Sequence, residues 1–238
     1  MLSLLLMTVC LPVASAYPDA DRAAAAAAKV RPLLEPSLTE KRLRLGDHVF
    51  IRIFKEERQL ELWLREPNLK TYQLLKTWPV AAVSGDLGPK LAQGDRQAPE
   101  GFYTVASGAL NPKSQFHLSF NVGFPNSYDR AHGRTGTFLM VHGSNLSAGC
   151  FAMTDPGIEE IYTLCAAALN NGQRSFPVHI FPFRMTPERL TAAANHSALP
   201  FWRNLQQGYD AFQATRIPPR ISVADKRYLV VPVSSGGQ

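Results

Sequence analysis

The chain is 238 residues long, enough for one large domain with appendages, and its 45% hydrophobic content allows a sizeable core. Lys and Arg number 25 against 19 Asp and Glu, a formal charge of +6. A balance this moderate chiefly serves solubility, and without a dense Lys/Arg block or an aromatic-basic repeat it argues against nucleic acid as a partner.

Leu2 to Val13 is an apolar run too short for a comfortable membrane span, and Ala14-Ser15-Ala16 supplies a small-x-small cleavage pattern. Residues 1–16 therefore read as a secretory leader, against an uncleaved anchor helix in the inner membrane as the competing reading. A lipid attachment at Cys10 is disfavoured because Val9 stands where a small residue is wanted. Ala23 to Ala28 are six consecutive alanines, strong helix formers, with Pro32 and Pro36 expected to interrupt the helix. Residues 17–46 are thus expected to be a helical spacer or peripheral helix.

Strand signals begin at His48. Val49, Ile51 and Ile53 alternate, Glu56-Glu57-Arg58 turns, and Leu60, Leu62 and Leu64 alternate again, which predicts a hairpin. A third strand is expected over Tyr72 to Val83, then a long polar loop over Ser84 to Ala98. Further strands are expected at Phe102 to Val105, Phe116 to Val122 and Thr137 to Val141. A helix follows, with Asp155 as N-cap, Pro156 in its first position and Asn170-Asn171-Gly172 as the stop. Ile158, Ile161, Cys165, Ala168 and Leu169 share its apolar face. Phe176 to Phe183 is a last core strand. Helices at about 187–195 and 200–214 then precede a Pro-Pro break and a strand-like tail, by the same periodicity. The expected architecture is a mixed α/β, β-rich domain over 47–186 with a helical extension over 187–238. Trp202, Leu205, Tyr209 and Phe212 recur at helical spacing in that extension, as a stripe for packing on the domain or, alternatively, for docking a partner.

The chemistry concentrates in one stretch. A strand delivers His142-Gly143, a loop follows, and Gly149-Cys150 precedes the helix. A thiolate is the reactive form of cysteine, and an imidazole nearby can take the thiol proton. Gly149 lets a substrate carbonyl approach the backbone, and amide groups around Cys150 are candidate oxyanion donors. The Gly143 carbonyl is a candidate to orient the imidazole, and Ser147 to shape the loop. Cys165, on the apolar helix face, reads as core. His117 and His179 alternate with apolar strand residues and read as structural. Zinc on His117, His132, His142 and Cys150 is disfavoured because no short paired ligand spacing is present.

The same stretch resembles the motif of YkuD-type L,D-transpeptidases, a His-Gly on a strand followed by Ser-x-Gly-Cys, here His142-Gly143 and Ser147-Ala148-Gly149-Cys150. Ala98-Pro99-Glu100-Gly101-Phe102-Tyr103 is similar to a second family strand. Leu110-Asn111-Pro112, the run from Pro125 through Tyr128, Arg130, His132 and Arg134 to Gly136, and Val178 to Met185 resemble the YafK-like branch of Gram-negative bacteria. The resemblance covers about 48–186. It implies a β-sandwich-type domain in the periplasm, with Cys150 as nucleophile and His142 as base. The substrate would be the amide on the L-centre of meso-diaminopimelate in peptidoglycan stem peptides. An amine acceptor would complete transpeptidation; water would complete hydrolysis, as in branch members that look like hydrolases releasing a wall-bound lipoprotein, and neither route would need a metal or an organic cofactor. A non-catalytic wall-binding module is the third reading. Two departures stand out. Ala152 occupies a position where the family usually has Arg, thought to meet a substrate carboxylate, and the His-to-Cys spacing is shorter than in many members. Arg130, Arg134 and Arg184 are candidates to replace that cation. His132, Arg130, Arg134 and Tyr128 are the candidate substrate contacts, with Asp129 beside them.

Overall fold

A computed structural model describes residues 20–234; the expected leader lies outside them. In chain order the elements are α1 (Ala20–Glu40), β1 (His48–Phe54), β2 (Gln59–Arg65), β3 (Gln73–Pro79), β4 (Ala82–Val83), β5 (Gly101–Ala106), β6 (Leu110–Asn111), β7 (Ser119–Asn121), α2 (Ser127–Ala131), β8 (Met140–His142), β9 (Phe151–Ala152), α3 (Asp155–Asn170), β10 (Ser175–Phe181), α4 (Pro187–Ala192), α5 (Leu199–Thr215), β11 (Arg220–Ala224) and β12 (Arg227–Val231). Two five-stranded sheets carry the fold, ordered β3-β2-β1-β10-β5 and β4-β9-β8-β7-β6. Their facing residues form one core: Ile51, Val178 and Phe176 from the first sheet meet Phe120, Val141 and Phe151 from the second. Phe120 and Phe176 meet edge to face across it, with ring centres 5.6 Å apart. No described helix is long and apolar enough to cross a membrane.

Several sequence expectations shift here. Helix α1 runs unbroken through Pro32 and Pro36. Both prolines lie on its exposed face, while Ala26, Val30, Leu34 and Leu38, four residues apart, are buried in the core. Tertiary burial thus outweighs the backbone bonds the prolines forgo, and α1 is a packed peripheral helix rather than a spacer. The run Tyr72 to Val83 is two strands. It leaves the first sheet at Pro79, which has no N–H to donate, and the Ala81 amide bonds the Ala152 carbonyl of the second. The cap of α3 is Thr154, whose side chain accepts from Gly157 N–H, and not Asp155. Asp155 instead accepts the Ser144 N–H at 2.8 Å, which ties the loop after His142 to the start of α3.

The outer face of the first sheet is covered by the C-terminal extension. Trp202, Leu205 and Tyr209 of α5 join Phe54, Phe102 and Phe181 in a second apolar cluster. The extension is not wholly helical, because β11 and β12 form a hairpin that buries Tyr228. Trp202 is fully buried, and its Nε1–H donates to Glu100 Oε2 at 2.7 Å. Glu100 is also paired with buried Lys55 at 2.9 Å, and Lys55 Nζ donates to the Gly88 and Ala98 carbonyls. That ionic knot holds the 84–98 loop at Gly88 and Ala98. Trp202→Ala is expected to destabilise the protein by about 3–5 kcal/mol, the range for deleting a large buried aromatic. A lower urea midpoint at unchanged m-value would register it; a midpoint like that of the parent would mean the extension docks loosely.

Candidate active site

Strands β8 and β9 are parallel neighbours with Val141 opposite Phe151 and His142 opposite Ala152. Val141 and Phe151 point into the core. Strand alternation therefore turns Met140, His142, Ala152 and the adjoining Cys150 to the other face. This brings His142 and Cys150 to one side of the sheet from positions eight residues apart. His142 is 2% exposed, whereas Cys150 is partly open to solvent. Cys150 Sγ receives the Met140 N–H at 3.4 Å, and its S–H points to the Phe138 carbonyl at 3.5 Å.

The imidazole is oriented by its neighbour. His142 Nδ1 lies 2.6 Å from the Gly143 carbonyl oxygen. A carbonyl only accepts, so Nδ1 carries the hydrogen and Nε2 keeps its lone pair. Gly143 has no room for a side chain: a Cβ would stand 2.6 Å from Asp155 Oδ1 and 2.7 Å from the Phe116 carbonyl. The Phe116 ring leans on His142 with centres 4.8 Å apart. Ser147 Oγ donates to the Cys150 carbonyl at 2.6 Å, a loop-shaping contact.

The amides of Gly149, beside Cys150, and of Gly143 are both engaged. Gly143 N–H donates to the Phe116 and Leu118 carbonyls, and Gly149 N–H donates to the Ser84 hydroxyl. Ser84, whose own hydroxyl donates to Arg96 O, was missed in the sequence. It joins the 84–98 loop to the loop before Cys150, and Gly149 has φ +106 where that loop passes Gln97. Backbone strain gathers here too. Arg96, His117, Phe138, Ser144 and Thr154, none of them glycine, all adopt positive φ. The turns at His117 and Phe138 explain why the strands expected over 116–122 and 137–141 shrink to β7 and β8.

The other sequence candidates are held elsewhere. Tyr128 is buried and stacked between His132 and Tyr228, at 4.2 and 4.3 Å. His132 Nδ1 donates to the Tyr128 carbonyl at 2.9 Å. Arg134 pairs with fully buried Asp129 at 2.8 Å, and Asp129 completes the capping box of α2. Arg184 pairs with Glu61 at 2.7 Å on the far sheet, beside the buried Arg52. Arg130 bonds the Pro125 carbonyl and Ser127 Oγ. None of these contacts reaches Cys150 or His142. Lys90 is buried under Gly136 and paired with Asp95 at 2.5 Å, and its charge opposes the rise in the Cys150 pKa. Exposed Arg96 lies on the loop that passes Gly149. His117 is paired with Glu159 at 2.9 Å, Cys165 is fully buried, and no group of metal-ligating side chains gathers among the described residues.

The electrostatics describe a neutral pair. Burial lowers the His142 pKa below its ordinary 6.5, opposed by the Gly143 carbonyl. Burial raises the Cys150 thiol above 9, opposed by the Met140 N–H and Lys90. At pH 7 the resting pair is therefore thiol and neutral imidazole. Alkylation of Cys150 by iodoacetamide is expected to be slow at pH 7 and to rise about tenfold per pH unit through pH 9, as the thiolate fraction does. Labelling already at a plateau at pH 7, read by peptide mass spectrometry, would show a preformed thiolate instead.

With the site described, comparison with known proteins decides the family. Residues 48–180 match the family model of the YkuD L,D-transpeptidase catalytic domain. The chain belongs to this family. Over 190 residues it is 46% identical to the protein named "Putative L,D-transpeptidase YafK" in Escherichia coli K12 and in Escherichia coli O157:H7, covering 80% of this chain and 76% of each relative. Among solved structures, a variant of the helical cell shape determining protein Pgp2 of Campylobacter jejuni is similar with a TM-score of 0.47 and 18% identity, over 76% of this chain and 66% of that one. Bd1075 of Bdellovibrio bacteriovorus is similar with a TM-score of 0.41 and 17% identity, over 78% and 80%. The mixed α/β architecture of this L,D-transpeptidase-family chain agrees with the fold class expected from its sequence.

Proposed function

We propose that this family member is an exported, periplasmic cysteine acyltransferase that acts on the carbonyl at the L-centre of meso-diaminopimelate in peptidoglycan stem peptides. The observation that carries the reading is the pinned imidazole: Nδ1–H is held by the Gly143 carbonyl, so Nε2 is available as a base on the sheet face shared with Cys150. Cys150 Sγ adds to the amide carbonyl as its proton passes to His142 Nε2. The Cys150 amide is the donor nearest in the chain to the oxyanion. Collapse breaks the C–N bond, His142 returns the proton to the departing amine, and a thioester remains on Cys150. An acceptor amine or water then attacks that thioester as its proton passes to His142 Nε2, the C–S bond breaks, and the proton returns to Cys150 as the thiol.

The substrate carboxylate requires a cation that Ala152 does not provide. Ala152 is fully buried directly opposite His142. Lys90 is buried and paired with Asp95, which leaves exposed Arg96, on the loop that passes Gly149, as the candidate to stand in for it.

The test incubates the protein with two diaminopimelate substrates, a tetrapeptide muropeptide ending in D-Ala and a tripeptide muropeptide carrying a Lys-Arg remnant of a wall lipoprotein. Products are read by mass spectrometry beside Cys150→Ala. Cross-linked dimers or D-amino-acid exchange, lost in the variant, support the acyltransferase. Release of Lys-Arg without cross-links assigns the same thioester to hydrolysis and to the lipoprotein as partner. Muropeptide binding with no product from either would leave a wall-binding module and sink the enzyme.

A further inference from the structure

A cavity of about 620 Å³ lies between the first sheet and the C-terminal hairpin, apart from Cys150 and His142. One wall is β5, an edge strand of its sheet; the other is β11, whose sole partner in the hairpin sheet is β12. The cavity thus has the edge strand β5 on one side and the hairpin strand β11 on the other. On β5 the direction of the free groups follows from the contacts. Phe102 turns its carbonyl to Asn126 Nδ2 at 2.8 Å and its N–H to Tyr228 Oη at 3.4 Å, both outside the sheet. Two residues on, Thr104 turns its own N–H and carbonyl the same way, consistent with its register partner Pro177, which has no N–H to share. Thr104 and Pro177 both line the cavity. On β11, Ile221 and Val223 are half-buried between exposed neighbours and line the opposite wall.

The side chains add a polarity. Arg130 is the one charged residue lining the cavity, and no Asp or Glu accompanies it. The Pro125 carbonyl and Ser127 Oγ hold its guanidinium at the rim. On the wall, His179 is 2% exposed and its Nδ1 has no hydrogen-bond partner. A buried polar atom of this kind ordinarily finds one.

We propose that this cavity binds the carboxylate-terminated end of an extended peptide, laid between β5 and β11 with its terminal carboxylate on Arg130. The Thr104 N–H and carbonyl supply main-chain pairing, the proline and aliphatic walls take alternate side chains, and the guanidinium fork fits a carboxylate. His179, held neutral by burial, adds no charge to the wall. The proposal goes beyond the thioester chemistry and does not depend on it.

The experiment uses the full chain carrying Cys150→Ala, so that no turnover intervenes. N-acetyl-Ala-Ala-Ala, its C-terminal amide and a stem tetrapeptide are titrated calorimetrically. The free acid is expected to bind, the amide at least tenfold more weakly. Arg130→Gln, a change at an exposed side chain, is expected to weaken the acid at least tenfold at an unchanged melting temperature. Ile221→Trp, which fills the cavity, is expected to abolish binding. If the tetrapeptide shows the same dependence on Arg130, the wall is a source of the peptide; if the alanine acid alone does, the source is another peptide terminus. Equal affinities for acid and amide, indifference to Arg130→Gln, or no heat from any ligand would overturn the proposal while leaving the Cys150 chemistry untouched.

Discussion

Cys150→Ala is expected to reduce turnover of a stem-peptide substrate by a factor on the order of 10⁴ or more, the scale of removing a nucleophile from a cooperating pair. The loss is chemical because no other described group takes the nucleophile's place. Ser147 donates its hydrogen to the Cys150 carbonyl, and Cys165 is fully buried on the core face of α3. The fold should be indifferent to the change. The sulfur makes two weak contacts, with Met140 N–H and the Phe138 carbonyl, and is partly open to solvent. Stability should therefore stay within about 1 kcal/mol of the parent, as for substitutions away from the core. Turnover within tenfold of the parent would remove Cys150 from the mechanism. A coincident collapse of the urea midpoint would show instead that the side chain holds the loop.

Much of this site is legible in the sequence because it is local. Alternation places Val141 in the core and His142 away from it, and a glycine beside His142 and another beside Cys150 mark tight backbone. The first hairpin, α3 and the apolar stripe of α5 are legible for the same reason, since each repeats its period over several turns or pairs. What escapes is long-range. Tyr128, Arg130, His132 and Arg134 sit in one short segment and look like a binding loop. Folding instead closes Arg134 on Asp129 and stacks Tyr128 on Tyr228, about a hundred residues further on. Lys55 and Glu100 look like ordinary surface charges, yet they are buried together beneath the 84–98 loop. That loop then delivers Ser84, Lys90 and Arg96 to the site. A polar stretch without periodicity gives no hint of such an anchor, because the anchor residues lie outside it.

His142 offers the second large effect. His142→Ala is expected to lower kcat/KM by about 10²–10⁴-fold, the contribution of a positioned general base. The resting thiol is protonated at pH 7 and rests on the Phe138 carbonyl, so something must take its proton during attack, and Nε2 is the lone pair left free by the Nδ1–H bond to Gly143. The pH profile carries the same signature. Because burial lowers the imidazole pKa below 6.5, the base is already neutral at pH 7, and the acid limb of kcat/KM should fall only as pH drops below 6.5. In the alanine variant that limb should vanish, leaving a rate that climbs with the thiolate above pH 9. His142→Asn separates the base from its scaffold role. The Asn amide can still donate to the Gly143 carbonyl, but it takes up no proton near neutral pH. An Asn variant as slow as the Ala variant assigns His142 to proton transfer. Recovery to within tenfold of the parent would mean that the residue acts through the Gly143 turn, and that the thiol loses its proton to water.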